Sequence, residues 1–282
     1  MTEAVMLQPP DRSVSRLAFA VRLVDDFAPE REPPAGVTVT LTGGGTQGVR
    51  NPGGWHLFMD LPAGTYRVSV RSELYLAEDK EIDTALLDPG LPVVELLLKP
   101  SAAYPFPPGT TLVRCVVRNE ADLGVPDARV EAVPWMPAPS VKGRVRQGGA
   151  QAGQPAIRLE HLSGGLAAGD MLLVREGDPS RQEIVRIAAP LPSNASQPFN
   201  LAAPLRFGHA AGTPVHLLAA AAPSTTSTAG TGEFVVYQRN ASARLFVIRL
   251  STSAAGYRPD ERDLEIVEGT TQSVGVISLQ QL

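Results

Sequence analysis

Alternating apolar and polar positions in residues 53–70 predict two β-strands joined by a Pro–Gly corner. Residues 55–59 and 66–70 each follow a period of two, and a Leu-Pro-Ala-Gly segment separates them. A related pattern returns at residues 232–237 and 245–250. The pattern therefore predicts a β module, with a hairpin or an arch at its centre, that occurs twice in the chain.

Further strands are predicted around this central pattern in both modules. In the first module they cover residues 17–24, 36–41, 74–82 and 91–98. The last of these is continuously apolar, which is typical of a strand buried on both faces or at an interface. In the second module, residues 111–117 and 128–133 repeat the opening strands, but the central pattern is delayed until about residue 230.

That delay predicts a domain inserted into the second module, because connections between neighbouring strands are usually short. The intervening residues contain short strands separated by turns and no helical period, which favours a small β-barrel. We therefore expect an all-β protein with two tandem transthyretin-like or Ig-like β-sandwiches. The predicted divisions are a flexible arm (1–15), the first sandwich (16–100), a Pro-rich linker (101–110), the second sandwich (111–137 and 223–282) and the inserted barrel (138–222).

Composition narrows the classes of function. The 282 residues carry a formal net charge of −4, and no basic stripe indicates a nucleic-acid partner. No apolar run approaches the roughly 18 residues of a membrane span. The single cysteine, Cys115, permits no intrachain disulfide and is interpreted as a buried apolar residue. The N-terminal residues lack the apolar core of a signal peptide. A cytoplasmic protein is therefore expected, with incorporation into a released particle as an extension of that hypothesis.

A glycine-rich segment at residues 43–48 contains the G-x-G-x-x-G spacing of dinucleotide-binding loops. Such a loop must lead directly into a helix whose N-terminus holds the pyrophosphate. The following residues include Asn51, Pro52 and two further glycines, which do not start a helix. The segment is therefore interpreted as a plain turn, and no cofactor is expected.

Histidines and carboxylates give only a minor catalytic hypothesis. The four histidines are scattered and form no H-E-x-x-H motif: His56, His161, His209 and His216. His209 and His216 could converge with Asp170 in a hydrolase site. Asp170, Asp178 and Glu183 could also serve acid–base chemistry or calcium, but turns and strand starts explain the two aspartates. We therefore expect no catalytic residue and no metal ligand.

Both modules resemble the carboxypeptidase regulatory-like domain, a transthyretin-like β-sandwich. In the second copy the matching segments are GVPDARV at 124–130, TGEF at 231–234 and AGYRP at 255–259. In the first copy they are GVTV at 36–39 and LPAGTY at 61–66. The resemblance implies the fold but no peptidase activity, because such modules accompany many functions.

The insert resembles small barrel modules of phage-tail and tail-like particles. Its matching segments are residues 166–174, 183–187 and 204–215. The resemblance implies a non-catalytic structural or docking subunit of a contractile injection particle or a similar assembly. Its partners would be other protein subunits, with a homo-oligomer left open.

Large aromatic residues are the candidate interface residues: Trp55, Tyr104, Phe106, Trp135 and Tyr257. Packing within or between modules is the expected role of such residues in a chain with few aromatics. The alternative is a carbohydrate- or peptide-binding module that uses Trp55, His56 and loops of the insert. These aromatics would then have to line one exposed face.

Overall fold

The structure is a computed structural model that describes residues 15–33, 36–42, 46–192, 197–239, 241 and 243–282. The predicted arm over residues 1–15 lies outside these ranges except for its last residue. The glycine-rich segment at 43–48 is described only from Thr46 onward. The chain forms two compact units, which divide after Tyr104.

The first unit is built from seven strands and one turn of 3₁₀ helix at Thr84–Leu86. The strands are β1 (Leu17–Asp25), β2 (Thr38–Leu41), β3 (Val49–Arg50), β4 (Trp55–Met59), β5 (Thr65–Arg71), β6 (Glu78–Asp83) and β7 (Val93–Leu98). They form two sheets, with the orders β3-β4-β1-β7 and β2-β5-β6. β1 and β7 run parallel, and the other neighbours run antiparallel.

The core of the first unit lies between these two sheets. Phe19 of β1 stacks on Phe58 of β4 with ring centroids 4.8 Å apart, and it also meets Tyr66 of the other sheet at 6.1 Å. Val68 and Val70 of β5 are fully buried. The alternation along each strand therefore places one face in the core, as period-two patterning requires.

The second unit contains fourteen strands in its described residues and a 3₁₀ turn at Pro179–Arg181. The strands are β8 (Thr111–Asn119), β9 (Arg129–Pro137), β10 (Gly143–Val145), β11 (Ala156–Ile157), β12 (Leu159–Glu160), β13 (Met171–Val174), β14 (Glu183–Arg186), β15 (Phe199–Asn200), β16 (Pro214–Ala220), β17 (Ser224–Ser227), β18 (Glu233–Gln238), β19 (Leu245–Ser253), β20 (Asp260–Val267) and β21 (Thr271–Leu279).

The second sandwich repeats the strand pairings of the first. β8 lies between antiparallel β18 and parallel β21, as β1 lies between β4 and β7. β19 lies between β9 and β20, as β5 lies between β2 and β6. In both units the two central strands belong to different sheets, so the predicted central element is an arch and not a hairpin. All-β structure and tandem β-sandwiches are confirmed.

A close backbone approach explains the glycine that opens the GVPDARV segment. A Cβ placed on Gly124 would lie 2.2 Å from the carbonyl oxygen of Thr231. The nearby amide of Val117 donates to the carbonyl of Gly232, and the amide of Val125 donates to the carbonyl of Val117. Two of the three segments that carry the family resemblance in this copy therefore meet each other, and the contact requires a residue without a side chain.

The strands of the predicted insert share a sheet with the second sandwich. β16 pairs with β10 and β13, and its last three residues pair with Trp135, Met136 and Pro137 of β9. Among the described residues these strands belong to one nine-stranded sheet, and β11 and β15 form a separate ladder. A separate barrel is therefore not found, because β16 is long enough to continue from the insert into the sandwich.

Two apolar clusters nevertheless lie on either side of this junction. The sandwich cluster includes Phe234, Phe246 and Ile277 and draws no residue from 138–222. The other cluster, which includes Leu172 and Phe199, lies wholly within 138–222. A third, smaller cluster joins β13 and β16 to β19 through Met171, Leu173, Leu218 and Val247.

The prediction that the strand at 91–98 is buried on both faces is wrong. β7 lies at the end of its sheet, and its side chains alternate: Leu96 and Leu98 are buried on one face, whereas Leu97 on the other face is 50% exposed. The second half of that prediction, a strand at an interface, stays open. Nowhere in the described residues is there a helix long and apolar enough to cross a membrane.

Candidate functional site

A cleft in the second unit holds its most concentrated set of interacting charges. It has a volume of about 320 Å³ and lies between the β13–β14 ladder and strands β19 and β20. Met171, Ile184 and Val247 supply apolar lining. Charged lining comes from Glu183, Arg186, Arg206, Asp263 and Glu265.

Ion pairs cross this cleft from the insert to β20. Arg186 pairs with Asp263, and the Arg206 guanidinium lies 2.8 Å from the Glu265 carboxylate. Asp263 also accepts from Arg249 Nε at 2.8 Å. Its pKa is lowered mainly by the hydrogen bond from Arg249, against the opposing effect of burial and with further help from Arg186. These partly exposed pairs orient the insert, although each contributes only about 0–1 kcal/mol to stability.

Glu183 occupies the buried side of the cleft. Its side chain is 2% exposed, and its carboxylate accepts from the backbone amides of Arg206 at 2.8 Å and Phe207 at 3.1 Å. A third contact joins it to His209 Nε2 at 2.7 Å. Burial raises the pKa of Glu183, but these hydrogen bonds together bring it below its ordinary value. The carboxylate is therefore ionised at neutral pH.

His209 connects Glu183 to a second carboxylate. Its Nδ1 lies 3.1 Å from Oε1 of Glu176, which also accepts from the Thr213 hydroxyl at 3.1 Å. Burial raises the pKa of Glu176, and the hydrogen bonds from His209, Ala210 and Thr213 lower it overall. The geometry therefore places a buried imidazole within hydrogen-bond distance of two carboxylates, one at each ring nitrogen.

This Glu176–His209–Glu183 cluster lacks the geometry of a catalytic histidine. The His209 side chain is fully buried, and both of its nitrogens are engaged. A general base needs a nitrogen within hydrogen-bond reach of a substrate proton. The hydrogen bonds of the cluster instead connect three segments of the second unit: the residues after β13, the start of β14 and the loop before β16.

The hydrolase hypothesis also required His216 and Asp170, which have separate partners. His216 is buried, and its Nδ1 lies 2.9 Å from the carbonyl oxygen of Ala138. Asp170 accepts from the amide of Ala167 at 2.8 Å in the turn before β13. No group of three His, Cys, Asp or Glu residues in the described ranges has the arrangement of a metal site.

The described part of the glycine-rich segment, residues 46–48, pairs with β2. The amide of Leu41 donates to the carbonyl of Thr46, and Gln47 forms a bridge with Thr40. Strand β3 follows at Val49, so no helix N-terminus is available to hold a phosphate. Residues 43–45 lie outside the described ranges.

Two of the predicted interface aromatics belong to the first unit. Trp55 is half-buried on β4, where the guanidinium carbon of Arg22 lies 6.0 Å from its ring centroid. Tyr104 is buried, and its hydroxyl donates to Asp25 at 2.6 Å. Asp25 also accepts from the hydroxyl of Tyr75 at 2.8 Å. Burial and this hydrogen bond raise the pKa of Tyr75, so Tyr104 is part of a buried polar cluster and not of an exposed aromatic face.

The other three aromatics lie at different places in the second unit. The ring of Phe106 lies 5.8 Å from that of Tyr237. Trp135 is covered by Arg249, whose guanidinium carbon is 5.3 Å from the ring centroid, and it packs on the small junction cluster. Tyr257 packs at the margin of the sandwich core. These residues do not line one face, as a carbohydrate-binding module would require.

Sequence reasoning missed the roles of Glu176 and Arg206. A signal was available for Glu183, which begins strand β14 directly before the apolar pair Ile184 and Val185 and is buried there. A carboxylate in that position needs donors. Glu176 and Arg206 lie in turns that also contain Gly and Pro, and nothing in their local pattern distinguishes them from ordinary surface charges.

Comparison with known proteins identifies no family. No family model and no curated protein match the chain. Among solved structures, the Bacillus anthracis TIE protein is 10% identical, with a TM-score of 0.25 over 95% of this chain and 34% of that one. The streptococcal ancillary pilin is 11% identical, with a TM-score of 0.23 over 94% of this chain and 62% of that one.

A third similar structure is the shaft pilin SpaA from Lactobacillus rhamnosus GG, which is 8% identical. Its TM-score is 0.25 over 95% of this chain and 98% of that one. This chain therefore spans about a third of the TIE protein's chain and under two thirds of the ancillary pilin's. TM-scores of this size carry no argument about fold or function. The architecture rests on the strand pairings described above, and the family resemblance stays a prediction.

Proposed function

We propose that this protein is a non-catalytic structural or docking subunit of a multiprotein assembly. The observation that carries the proposal is the edge strand β7 of the first unit. A strand at the end of a sheet presents unpaired backbone donors and acceptors to any chain that adds a strand. Leu97 on β7 is 50% exposed, and Leu91 just before it is 67% exposed.

The other long edge of the first unit provides the contrast. β6 lies at the end of its sheet, and five of its six residues are charged, EDKEID. Charged side chains are the usual protection of an edge strand against unwanted pairing. β7, VVELLL, carries a single charge, at Glu95, which is paired with Arg22. The occupant we propose for β7 is an extended strand of a partner subunit.

The His209 cluster supports the non-catalytic part of the proposal. Both nitrogens of its imidazole are engaged by Glu176 and Glu183, and His216 and Asp170 have separate partners. Its chemistry serves to stabilise the second unit.

The test is the native mass together with a matched pair of variants. We expect the wild-type chain to co-purify with its partner, and Leu97→Lys to weaken that association about tenfold or more by placing a charge in the paired edge. Leu123→Lys is the control, since Leu123 is 63% exposed in the turn after β8. A wild-type chain that stays a free monomer would contradict the function. If Leu97→Lys binds the partner as strongly as wild type does, only the proposed role of the β7 edge would be contradicted.

Three finer hypotheses belong to the same proposal. The assembly would be a contractile injection particle or a similar particle. The resemblance of residues 166–174 and 204–215 supports this hypothesis, and the protein composition of purified particles would test it. The protein would be made in the cytoplasm, which cell fractionation would test. The third hypothesis concerns the limits and shape of the insert.

We propose that residues 138–222 form the insert and that its strands close on themselves. Two contacts support closure: the bridge between Ile187 and Leu201, and the β11–β15 ladder. They lead from the end of β14 through β15 and β11 to β12. The separate apolar cluster within these residues supports the limits. If the insert is closed in this way, we expect slow hydrogen exchange of the Leu201 amide, which donates to the carbonyl of Pro155.

A further inference from the structure

A groove in the second unit carries two guanidinium groups that form no ion pair with a carboxylate of the described residues. The groove has a volume of about 660 Å³ and lies where β13, β16, β9 and the start of β19 come together. Its apolar lining includes Met136, Pro139, Leu173 and Ala220. Arg175 and Arg244 are its only charged lining residues among those described.

Neither arginine is neutralised in the described part of the chain. Every arginine that forms an ion pair within 4.0 Å of a described carboxylate lies elsewhere, including Arg186, Arg206 and Arg249. Asp178 feels the charge of Arg244 without forming an ion pair with it: the pKa of Asp178 is lowered chiefly by hydrogen bonds from Ser180, with smaller effects from the charges of Arg181 and Arg244. The groove therefore presents positive potential on a chain whose net charge is −4.

The apolar lining argues for a peptide more than for a simple anion. Three prolines and five alanines line the groove together with the longer side chains, which leaves a largely apolar floor. An extended segment with apolar side chains on one face would bury surface on this floor, and carboxylates at its margins would meet the two arginines. Nucleic acid fits less well, because the described lining contains no aromatic residue for base stacking.

We propose that this groove binds an extended acidic segment of a partner protein, in which carboxylates flank apolar residues. The inference rests on the proposed docking function and adds a second contact surface to it. Arg175 and Arg244 set the charge preference, and the floor around Leu173 and Ala220 selects small or extended apolar side chains.

The test starts from a random peptide-display library selected against the full chain. We expect the enriched peptides to contain Asp or Glu next to apolar residues. A synthetic copy of the leading peptide, labelled for fluorescence anisotropy, should bind more weakly at high salt because exposed charge pairs are screened. The double variant Arg175→Glu/Arg244→Glu should weaken binding about tenfold or more.

Two further variants separate charge from fold and shape. Arg175→Gln/Arg244→Gln removes the charges without adding repulsion, and it should weaken binding by a smaller factor. Ala220→Trp fills the floor and should also weaken it. Arg258→Glu is the matched control, because Arg258 is an exposed arginine outside the groove whose side chain pairs with no described carboxylate.

Three results would overturn the groove. The first is a library in which no acidic peptide is enriched, and the second is a leading peptide that binds both double variants as tightly as wild type. The third is a short single-stranded oligonucleotide that displaces the labelled peptide as well as the unlabelled peptide does. Failure here is distinguishable from failure of the docking function. If the peptide experiments fail while the wild-type chain still co-purifies with its native partner, the groove is wrong and the docking function stands, whereas a wild-type chain without any partner contradicts the function itself.

Discussion

Replacement of His209 by alanine should destabilise the second unit strongly. His209 is the only group that connects the carboxylates of Glu176 and Glu183 in the described structure, and its side chain has no exposed surface. The variant leaves Glu183, which is 2% exposed, with two backbone amides and the Arg206 guanidinium at 3.6 Å but without its hydrogen bond to His209. Glu176, at 17% exposure, can regain part of its hydration.

The size of the loss follows from this burial. Breaking a buried ion pair by removal of one partner typically costs about 3–5 kcal/mol, because an uncompensated charge remains in the interior. We expect the lower end, about 3 kcal/mol, because Glu176 rehydrates and Glu183 keeps its amide donors. For a unit of this size, that loss lowers the melting temperature by about 6–12 °C.

The assay is thermal unfolding followed by circular dichroism at several pH values. His161→Asn is the matched control, since the His161 side chain is 78% exposed and asparagine tolerates its positive φ of 52°. This control should melt within about 1–2 °C of wild type, because surface substitutions usually change stability by less than about 0.5 kcal/mol.

The pH dependence has a defined sign. The pKa values of Glu176 and Glu183 are lowered from 4.5 in the folded protein, so their contribution to stability is present above about pH 4.5. That contribution is lost as the pH falls through the folded-state pKa values. The difference between wild type and His209→Ala should therefore be largest near neutral pH and shrink below about pH 4.5. A variant that melts like wild type, or a difference that grows in acid, would refute the reasoning.

Three other predictions test the core of each unit. Asp25→Ala should lower the free energy of unfolding of the first unit in urea by about 3 kcal/mol or more, because two tyrosine hydroxyls and two backbone amides lose their acceptor. The control, Glu81→Ala at an exposed position, should lower it by less than about 0.5 kcal/mol. Gly124→Ala should lower the melting temperature by several degrees, because the new Cβ would lie 2.2 Å from a backbone carbonyl oxygen. The control, Gly64→Ala, places a Cβ with no atom within 4 Å and should leave the melting temperature unchanged. Equal melting temperatures for the two variants would contradict the close approach. Replacement of residues 140–221 by a Gly/Ser bridge should leave a folded but less stable sandwich by circular dichroism, because the sandwich core draws no residue from the insert while the junction cluster does; an unfolded product would place the insert in the second domain's core.

Local pattern was sufficient for the strands and for the repeat. One face of each strand is buried, so apolar residues recur with a period of two, and Gly and Pro interrupt the pattern where the chain turns. Residues 53–70 therefore predicted β4, the corner and β5 from sequence alone. The same reasoning found the equivalent strands β18 and β19 in the second unit.

Pairing between distant segments was decided only by the tertiary structure. Whether an apolar strand such as β7 is central or at an edge depends on which strands lie beside it, and composition does not encode that. The continuation of β16 into the sandwich sheet had the same origin. A separate barrel was expected because the pattern shows where strands are but not how far their ladders extend.

The charged cluster shows the same division between sequence and fold. Glu176, Glu183 and His209 come from three segments, and although the position of Glu183 in a strand indicates that it needs donors, nothing in the sequence identifies them. Folding places their oxygens and nitrogens within 2.7–3.1 Å in a buried site, where unpaired charges are costly and paired ones hold the segments together. Sequence determined that these residues carry charge, and only the packing of the strands decided that the charges meet and are withdrawn from water.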